Sequence, residues 1–168
     1  KKMQKIFVSN DKKIEIFIDT HDLSHIGQIA NPEWESKVFN YYDKLNYKNL
    51  SFIDIGANIG CHTLYFYNFF NFNKLIYIEP NIKCVEIFKK TLSIQKDNKR
   101  DKVFILNKVI SEKNEYLDLK YFKNNSGSGS IVNYFGKESK KNTMLESPFE
   151  FNSIKVESLN IANLFSEI

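Results

Sequence analysis

Asp54, Gly56, Gly60 and Glu79 are the residues whose types and spacing could do chemistry. The apolar run Phe52-Ile53 leads straight into Asp54, the two glycines follow four residues apart, and an aromatic segment comes next. Glycine tolerates positive φ and carries no Cβ to block close approach, so this loop can bend sharply and leave room for a ligand. A second apolar run, Leu75-Ile76-Tyr77-Ile78, ends at Glu79-Pro80, with Glu79 nineteen residues beyond Gly60. A glycine turn after one strand and an acid after the next suit a nucleoside-bearing cofactor. The loop wraps the cofactor's charged middle, and the acid accepts hydrogen bonds from ribose hydroxyls.

The spacing then narrows the choice of cofactor. A dinucleotide fingerprint needs glycines at its first, third and sixth positions, which here hold Gly56, Asn58 and Cys61. A P-loop needs Gly-Lys-Ser/Thr, which is absent. What remains, acid-x-Gly-x-x-x-Gly, is similar to the acid-x-Gly-x-Gly-x-Gly loop of S-adenosylmethionine-dependent methyltransferases, with Asn58 in place of the middle glycine. That cofactor carries a sulfonium and an ammonium rather than a pyrophosphate. A carboxylate such as Asp54 suits such a neighbourhood, and the attraction strengthens where water is partly excluded.

The run Asp54-Ile-Gly-Ala-Asn-Ile-Gly60, followed by Ile78-Glu79-Pro80-Asn81, resembles the FkbM family of methyltransferases. Asn107-Lys108-Val109-Ile110-Ser111 resembles that family's third-strand exit, and Ser126 to Ile131 its serine-rich segment, so the resemblance covers residues 33 to 160. It implies a class I methyltransferase fold and methyl transfer to a hydroxyl, usually of a sugar, glycan or natural product. It also implies a cofactor site of Asp54, Gly56, Ala57, Asn58, Gly60, Glu79, Pro80, Asn81, Asn107 and Val109. In this reading Asp54 holds the methionyl end, Pro80 and Asn81 shape the adenosine wall, and Asn107 and Val109 flank adenine. Asn58 either contacts the methionyl carboxylate or only stabilises the turn. No residue is singled out as the catalytic base.

The elements that must position these groups follow from the pattern. Two short strands, 5–8 and 14–18, surround a turn at Asn10-Asp11. A helix is expected over 32–45, with Asn31 as cap, Pro32 at its first position and Trp34, Val38, Tyr41, Tyr42 and Leu45 toward a core. Strands at 51–55, 75–79 and 103–107 alternate with helices at 61–70 and from Asn81 onward, the latter burying Ile82, Val85, Phe88 and Leu92. This alternation predicts an α/β fold, a doubly wound Rossmann-like parallel sheet. Beyond it come a strand over 115–122, a Gly/Ser loop over 124–130, a polar loop over 139–148, a strand over 152–158 and a short helix from Leu159. The Gly/Ser loop reads either as a lid over the acceptor or as a linker. Residues 1–50 form a hairpin and helix leading into the core of 51–168, one domain overall. The core is expected to be incomplete after its third strand, completed by a missing C-terminal part or by a second copy.

Composition limits the alternatives. The 168 residues are 42% hydrophobic and 15% aromatic, with a net charge of +4. No apolar run is long enough for a transmembrane helix, and Cys61 and Cys84 fit a reducing cytoplasm better than a disulfide framework. Between Lys83 and Lys141 fourteen basic residues face seven acidic ones. Phosphate recognition favours arginine, and Arg100 is the one arginine here, so a nucleic-acid partner is not favoured. His21 and His25 lie four apart, but Gly27 argues for a loop, and no metal site is expected. Cys61-His62 as a nucleophile pair is disfavoured because adjacent helical side chains diverge. Glu35 faces either the cofactor or solvent. Besides an O-methyltransferase, the open readings are a nucleic-acid methyltransferase, a NAD-dependent dehydrogenase and a non-catalytic nucleoside-binding scaffold.

Overall fold

The computed structural model describes residues 2–9, 12–31, 33–45, 48–96, 98–131 and 150–166. The expected turn at Asn10-Asp11, Pro32 and the loop over 139–148 lie outside them. Strands β1 (Lys2–Ser9) and β2 (Lys12–Asp19) pair as an antiparallel hairpin. Helices α1 (Leu23–Ala30) and α2 (Ser36–Asp43) follow. The alternating core is then β3 (Leu50–Ile55), α3 (Cys61–Phe69), β4 (Phe72–Ile78), α4 (Ile82–Ser93) and β5 (Val103–Leu106). The last part comprises β6 (Val109–Ser111), β7 (Tyr116–Phe122), β8 (Asn125–Ser130), β9 (Phe151–Asn160) and a 3-10 turn over Ile161–Ser166.

The fold is mixed α/β. Strands β3, β4 and β5 form a parallel sheet in that order, as the spacing predicts. Strand β4 explains why this sheet reads as a continuous apolar run. Leu75 and Tyr77 pack with residues of α3, α4 and β2, while Ile76 and Ile78 point the other way, toward Leu159 and Leu164. Strands buried on both faces lose the polar alternation of a half-exposed sheet. Both crossover helices share one core cluster, so the expected winding over both faces is not seen among the described residues. The opposite face is covered instead by the end of β9 and the 3-10 turn. A second sheet has the order β6-β9-β7-β8, with β6 parallel to β9 and β7 antiparallel to both its neighbours.

Four expectations are corrected. The segment around His25 is helical despite Gly27, because the Asp22 carboxylate caps α1 by accepting from the amides of Ser24 and His25. Helix α2 begins at Ser36, since the Asn31 side chain accepts from Glu33 N in a local turn and Glu35 enters the helix with φ 49°. Its buried residue is consequently Phe39, and Val38 and Tyr41 are 37% and 62% exposed. In α4 the first expected core residue, Ile82, is 48% exposed, while Cys84 and Ile87 are buried. The Gly/Ser segment is a strand: β8 pairs with β7 through Lys120↔Ser130 and Phe122↔Asn125. Glycine suits β8 because a Cβ on Gly127 would lie 3.1 Å from Ser24 Cβ of the adjoining helix α1.

Candidate functional site

The loop leaving β3 is built on three left-handed residues, Gly56 (φ 72°), Asn58 (φ 52°) and Gly60 (φ 81°). Asparagine can replace glycine at the middle position because its short polar side chain satisfies the backbone locally. Here Asn58 Oδ1 accepts from Ile59 N at 2.8 Å. The rest of Asn58 is also tied down. Its N–H donates to Glu79 Oε2 at 2.8 Å, its carbonyl accepts from the Tyr77 hydroxyl, and its Nδ2 donates to Ser126 Oγ at 2.9 Å. The amides of Gly56 and Ala57 both donate to the carbonyl of Ile78, at 2.9 and 3.1 Å, pinning the loop to the end of β4. A Cβ on Gly56 would meet nothing within 4 Å, so the chain there faces open space.

The two acids behave differently. Asp54 Oδ2 accepts from Thr63 N at 3.0 Å and from Thr63 Oγ1 at 2.6 Å, a carboxyl group seated at the first turn of α3. Burial pushes its carboxyl up; the Thr63 hydrogen bonds and nearby His62 pull it back only in part. Glu79 uses both oxygens: Oε2 accepts from Asn58 N, and Oε1 from Asn81 N at 2.8 Å. Burial raises its pKa as well, against those two amide bonds. Asn81 also caps α4, its side chain accepting from Lys83 N. Asn107 Nδ2 donates to the carbonyls of Glu79 and Pro80, at 2.9 and 2.8 Å, and clamps the turn after β4.

These groups surround a cavity of about 340 Å³, within the ~300–1,000 Å³ span of small-molecule sites. One wall is Ile55, Gly56, Asn58, Ile78, Glu79 and Pro80, at the carboxyl ends of β3 and β4. Lys108, Val109 and Ile110 continue it past the end of β5. The facing wall belongs to the second sheet, with Leu119 of β7 and Ser126, Gly129 and Ser130 of β8. Ligands of open parallel sheets bind in the crevice outside the carboxyl ends of their strands. Of the expected cofactor residues, Gly56, Asn58, Glu79, Pro80 and Val109 line this cavity. Asp54, Ala57, Gly60, Asn81 and Asn107 stand behind it and hold the lining in place.

Sequence reasoning overlooked Lys108, whose Nζ pairs with Glu157 Oε1 of β9 at 3.1 Å at the cavity wall. The remaining candidates have other engagements. Cys61 donates its thiol hydrogen to Gln28 Oε1 at 3.1 Å, and burial pushes its pKa far up, which suits packing rather than nucleophilic attack. His62 stacks on Phe39 and places Nε2 2.6 Å from Glu35 Oε2, while its buried Nδ1 has no hydrogen-bond partner among the described residues. Glu35 therefore meets His62 first. No group of three or more His, Cys, Asp or Glu side chains is placed to hold a metal ion among the described residues, and no described helix is long and apolar enough to cross a membrane.

No family model matches the chain, and no curated protein matches it. The resemblance to FkbM methyltransferases rests on the sequence motifs alone. Among solved structures, one from Pyrococcus horikoshii named "putative transferase PH0793" is similar, with a TM-score of 0.44 and 14% identity. The similarity covers 67% of this chain and 44% of that one. This chain thus spans less than half the length of that structure. At that level the likeness specifies neither a reaction nor a ligand.

Proposed function

We propose that this chain carries the cofactor site of an S-adenosylmethionine-dependent methyltransferase that transfers its methyl group to a hydroxyl. One observation supports the reading most: a cavity at the carboxyl ends of consecutive parallel strands, with an open glycine at one strand end and a buried acid at the next. In it, Gly56 lets the cofactor's methionyl half approach the loop, and Glu79 stands where ribose hydroxyls would lie. Its amide bonds fix the carboxylate, and each oxygen keeps a second lone pair for a ribose donor. Val109 and Ile110 supply an apolar wall for a base. A sugar or glycan hydroxyl is the acceptor this reading favours.

The sulfonium is already an activated methyl donor, so the protein's work is alignment. An acceptor oxygen must lie in line with the departing sulfur, about 3 Å from the methyl carbon. Among the cavity-lining acids and bases, Glu79 is committed to two amides and Lys108 to Glu157. Neither is assigned as the base.

The test is calorimetric titration with S-adenosylhomocysteine and, in parallel, NADH. Saturable binding of S-adenosylhomocysteine and none of NADH is expected. Gly56→Ala should weaken it roughly tenfold, because the new methyl enters the ligand's space, at a stability cost of about 1 kcal/mol for its left-handed backbone. Folded protein that takes up neither compound would overturn the reading in favour of a scaffold.

A further inference from the structure

The hydrogen bonds behind Asn58 form a directed chain that ends at the cap of helix α1. Asp19 N–H donates to His25 Nδ1 at 3.3 Å, which leaves the imidazole proton on Nε2. That Nε2–H meets Ser126 Oγ at 3.0 Å, the same oxygen that accepts from Asn58 Nδ2 at 2.9 Å. Having accepted twice, the Ser126 hydroxyl gives its own proton to Ser24 Oγ, 3.0 Å away. Ser24 Oγ donates in turn to Asp22 Oδ1 at 2.5 Å, and Asp22 Oδ2 closes the circuit by accepting Ser126 N–H at 2.9 Å. Every donor has an acceptor, and the chain ends on a carboxylate. Its direction is therefore determined.

We propose that Ser126 and His25 are positioning residues, forming with Ser24 and Asp22 a strut that holds Asn58, and with it the glycine loop, in its ligand-ready conformation. Three observations carry this. Asn58 is a non-glycine residue at φ 52°, a conformation that persists only where surroundings over-determine it. Among the described residues its side chain is tied beyond its own loop to Ser126 and to His25, both members of this cluster. Ser126 also lines a second cavity of about 270 Å³ together with Asp22, His25 and Asn81, so the strut is the partition between two hollows rather than part of a packed core. Close packing does not hold the loop from that side; hydrogen bonds do.

Another use of the same cluster is excluded by its geometry. Cys84 Sγ lies 3.9 Å from His25 Nε2, which suggests a nucleophile and its base. The Nε2 atom carries the proton, however, and Nδ1 is occupied by Asp19 N–H, so the ring has no lone pair to offer the thiol. Burial also pushes the Cys84 thiol up to about 12.

The ligand half of this inference rests on the nucleoside reading; the loop half does not, and the experiment separates them. Amide hydrogen exchange is followed in the wild-type chain, Ser126→Ala and Ser126→Thr, alongside titration with S-adenosylhomocysteine. In Ser126→Ala the amides of Asn58 and Ile59 should exchange about tenfold faster or more, while those of Val85 to Leu92 in α4 keep their rates. Affinity for S-adenosylhomocysteine should fall about tenfold, and Ser126→Thr, which keeps the hydroxyl, should restore both. Unchanged exchange at Asn58 and Ile59 in Ser126→Ala overturns the strut, as does Ser126→Thr behaving like alanine. If the wild-type chain does not bind the nucleoside, the exchange arm still decides. If Ser126→Ala fails to fold, Ser24→Ala, which removes the acceptor of the Ser126 proton, replaces it under the same two criteria.

Discussion

Gly60→Ala is expected to destabilise the chain by about 3–4 kcal/mol, the sum of ~1 for a left-handed alanine and 2–3 for overpacking. Gly60 sits at φ 81°, and a Cβ there would lie 2.3 Å from Phe88 Cδ2 and 2.6 Å from Cε2. The ring has nowhere to go. Phe88 is 0% exposed and stacks on Tyr77 with centroids 4.0 Å apart and planes 1° from parallel. Tyr77 is itself anchored by its hydroxyl bond to the carbonyl of Asn58. Relief thus requires α3 and α4 to separate. Urea denaturation should show a lowered midpoint with an unchanged slope, and heating a melting temperature lower by about 10 °C. Trimming the ring should return part of the loss, so Gly60→Ala/Phe88→Leu should be less destabilised than the two single changes added together. Gly60→Ala within 1 kcal/mol of wild type would mean that the helices yield easily and that the close approach is not what selects glycine.

Asp54→Asn and Glu79→Gln should move stability in opposite directions at neutral pH. Both carboxyls have folded pKa values raised by burial above the ordinary 3.8 and 4.5. A raised folded pKa means that the native state holds the proton more tightly than the unfolded chain does. The associated stability is fully present below the ordinary values and is lost as pH rises through the folded ones. Above the ordinary values both groups therefore detract from stability, because burial disfavours their charged forms. Asn at position 54 removes that charge, and its single oxygen can still take both Thr63 bonds. The gain should be about 1 kcal/mol or more, against about 0.5 lost with the anion at the start of α3. Gln at position 79 also removes a charge, but its NH2 group must face either Asn58 N–H or Asn81 N–H, donor against donor. An orphaned buried amide costs about 1–3 kcal/mol, so Glu79→Gln should be a net loss and should loosen the glycine loop. Denaturation curves at intervals from pH 4 to 8 test both, and Asp54→Asn should flatten part of the wild-type fall in stability above pH 4. Equal losses in the two variants would show that Asp54, too, depends on both of its carboxylate oxygens as acceptors.

Much of the central sheet and the glycine loop was legible because they obey local rules. The strands β3, β4 and β5 are short apolar runs between turn residues, and Asn81 marks the start of α4 by its capping chemistry. Elsewhere two local signals competed and the weaker-looking one prevailed. Gly27 reads as a break, yet the Asp22 cap and the packing of His25 carry α1 through it. The Gly/Ser segment over 124–130 reads as a loop, either a lid or a linker, yet pairing with β7 and the narrow gap beside Ser24 make Asn125 to Ser130 a strand in which glycine is an advantage. The facing wall of the cavity was not legible. Lys108 and Ser126 acquire their positions from Glu157, His25 and Asn58, and contacts between elements that far apart in sequence leave no periodicity to read.

The strut also bears on the order in which the molecule assembles. The βαβαβ unit closes through neighbouring elements, so its contacts carry small loop entropies and can form early. The bonds from Ser126 to Asp22 and His25 span 104 and 101 residues, and the bond to Asn58 spans 68. Until the distant strand returns to the amino-terminal helix, the glycine loop has its turn but lacks its outer anchor. A chain in this state has its hydrophobic core before it has its site. By this count the second wall of the cavity is expected to close after the first, so the contacts that enclose a ligand are the ones with the largest loops to close.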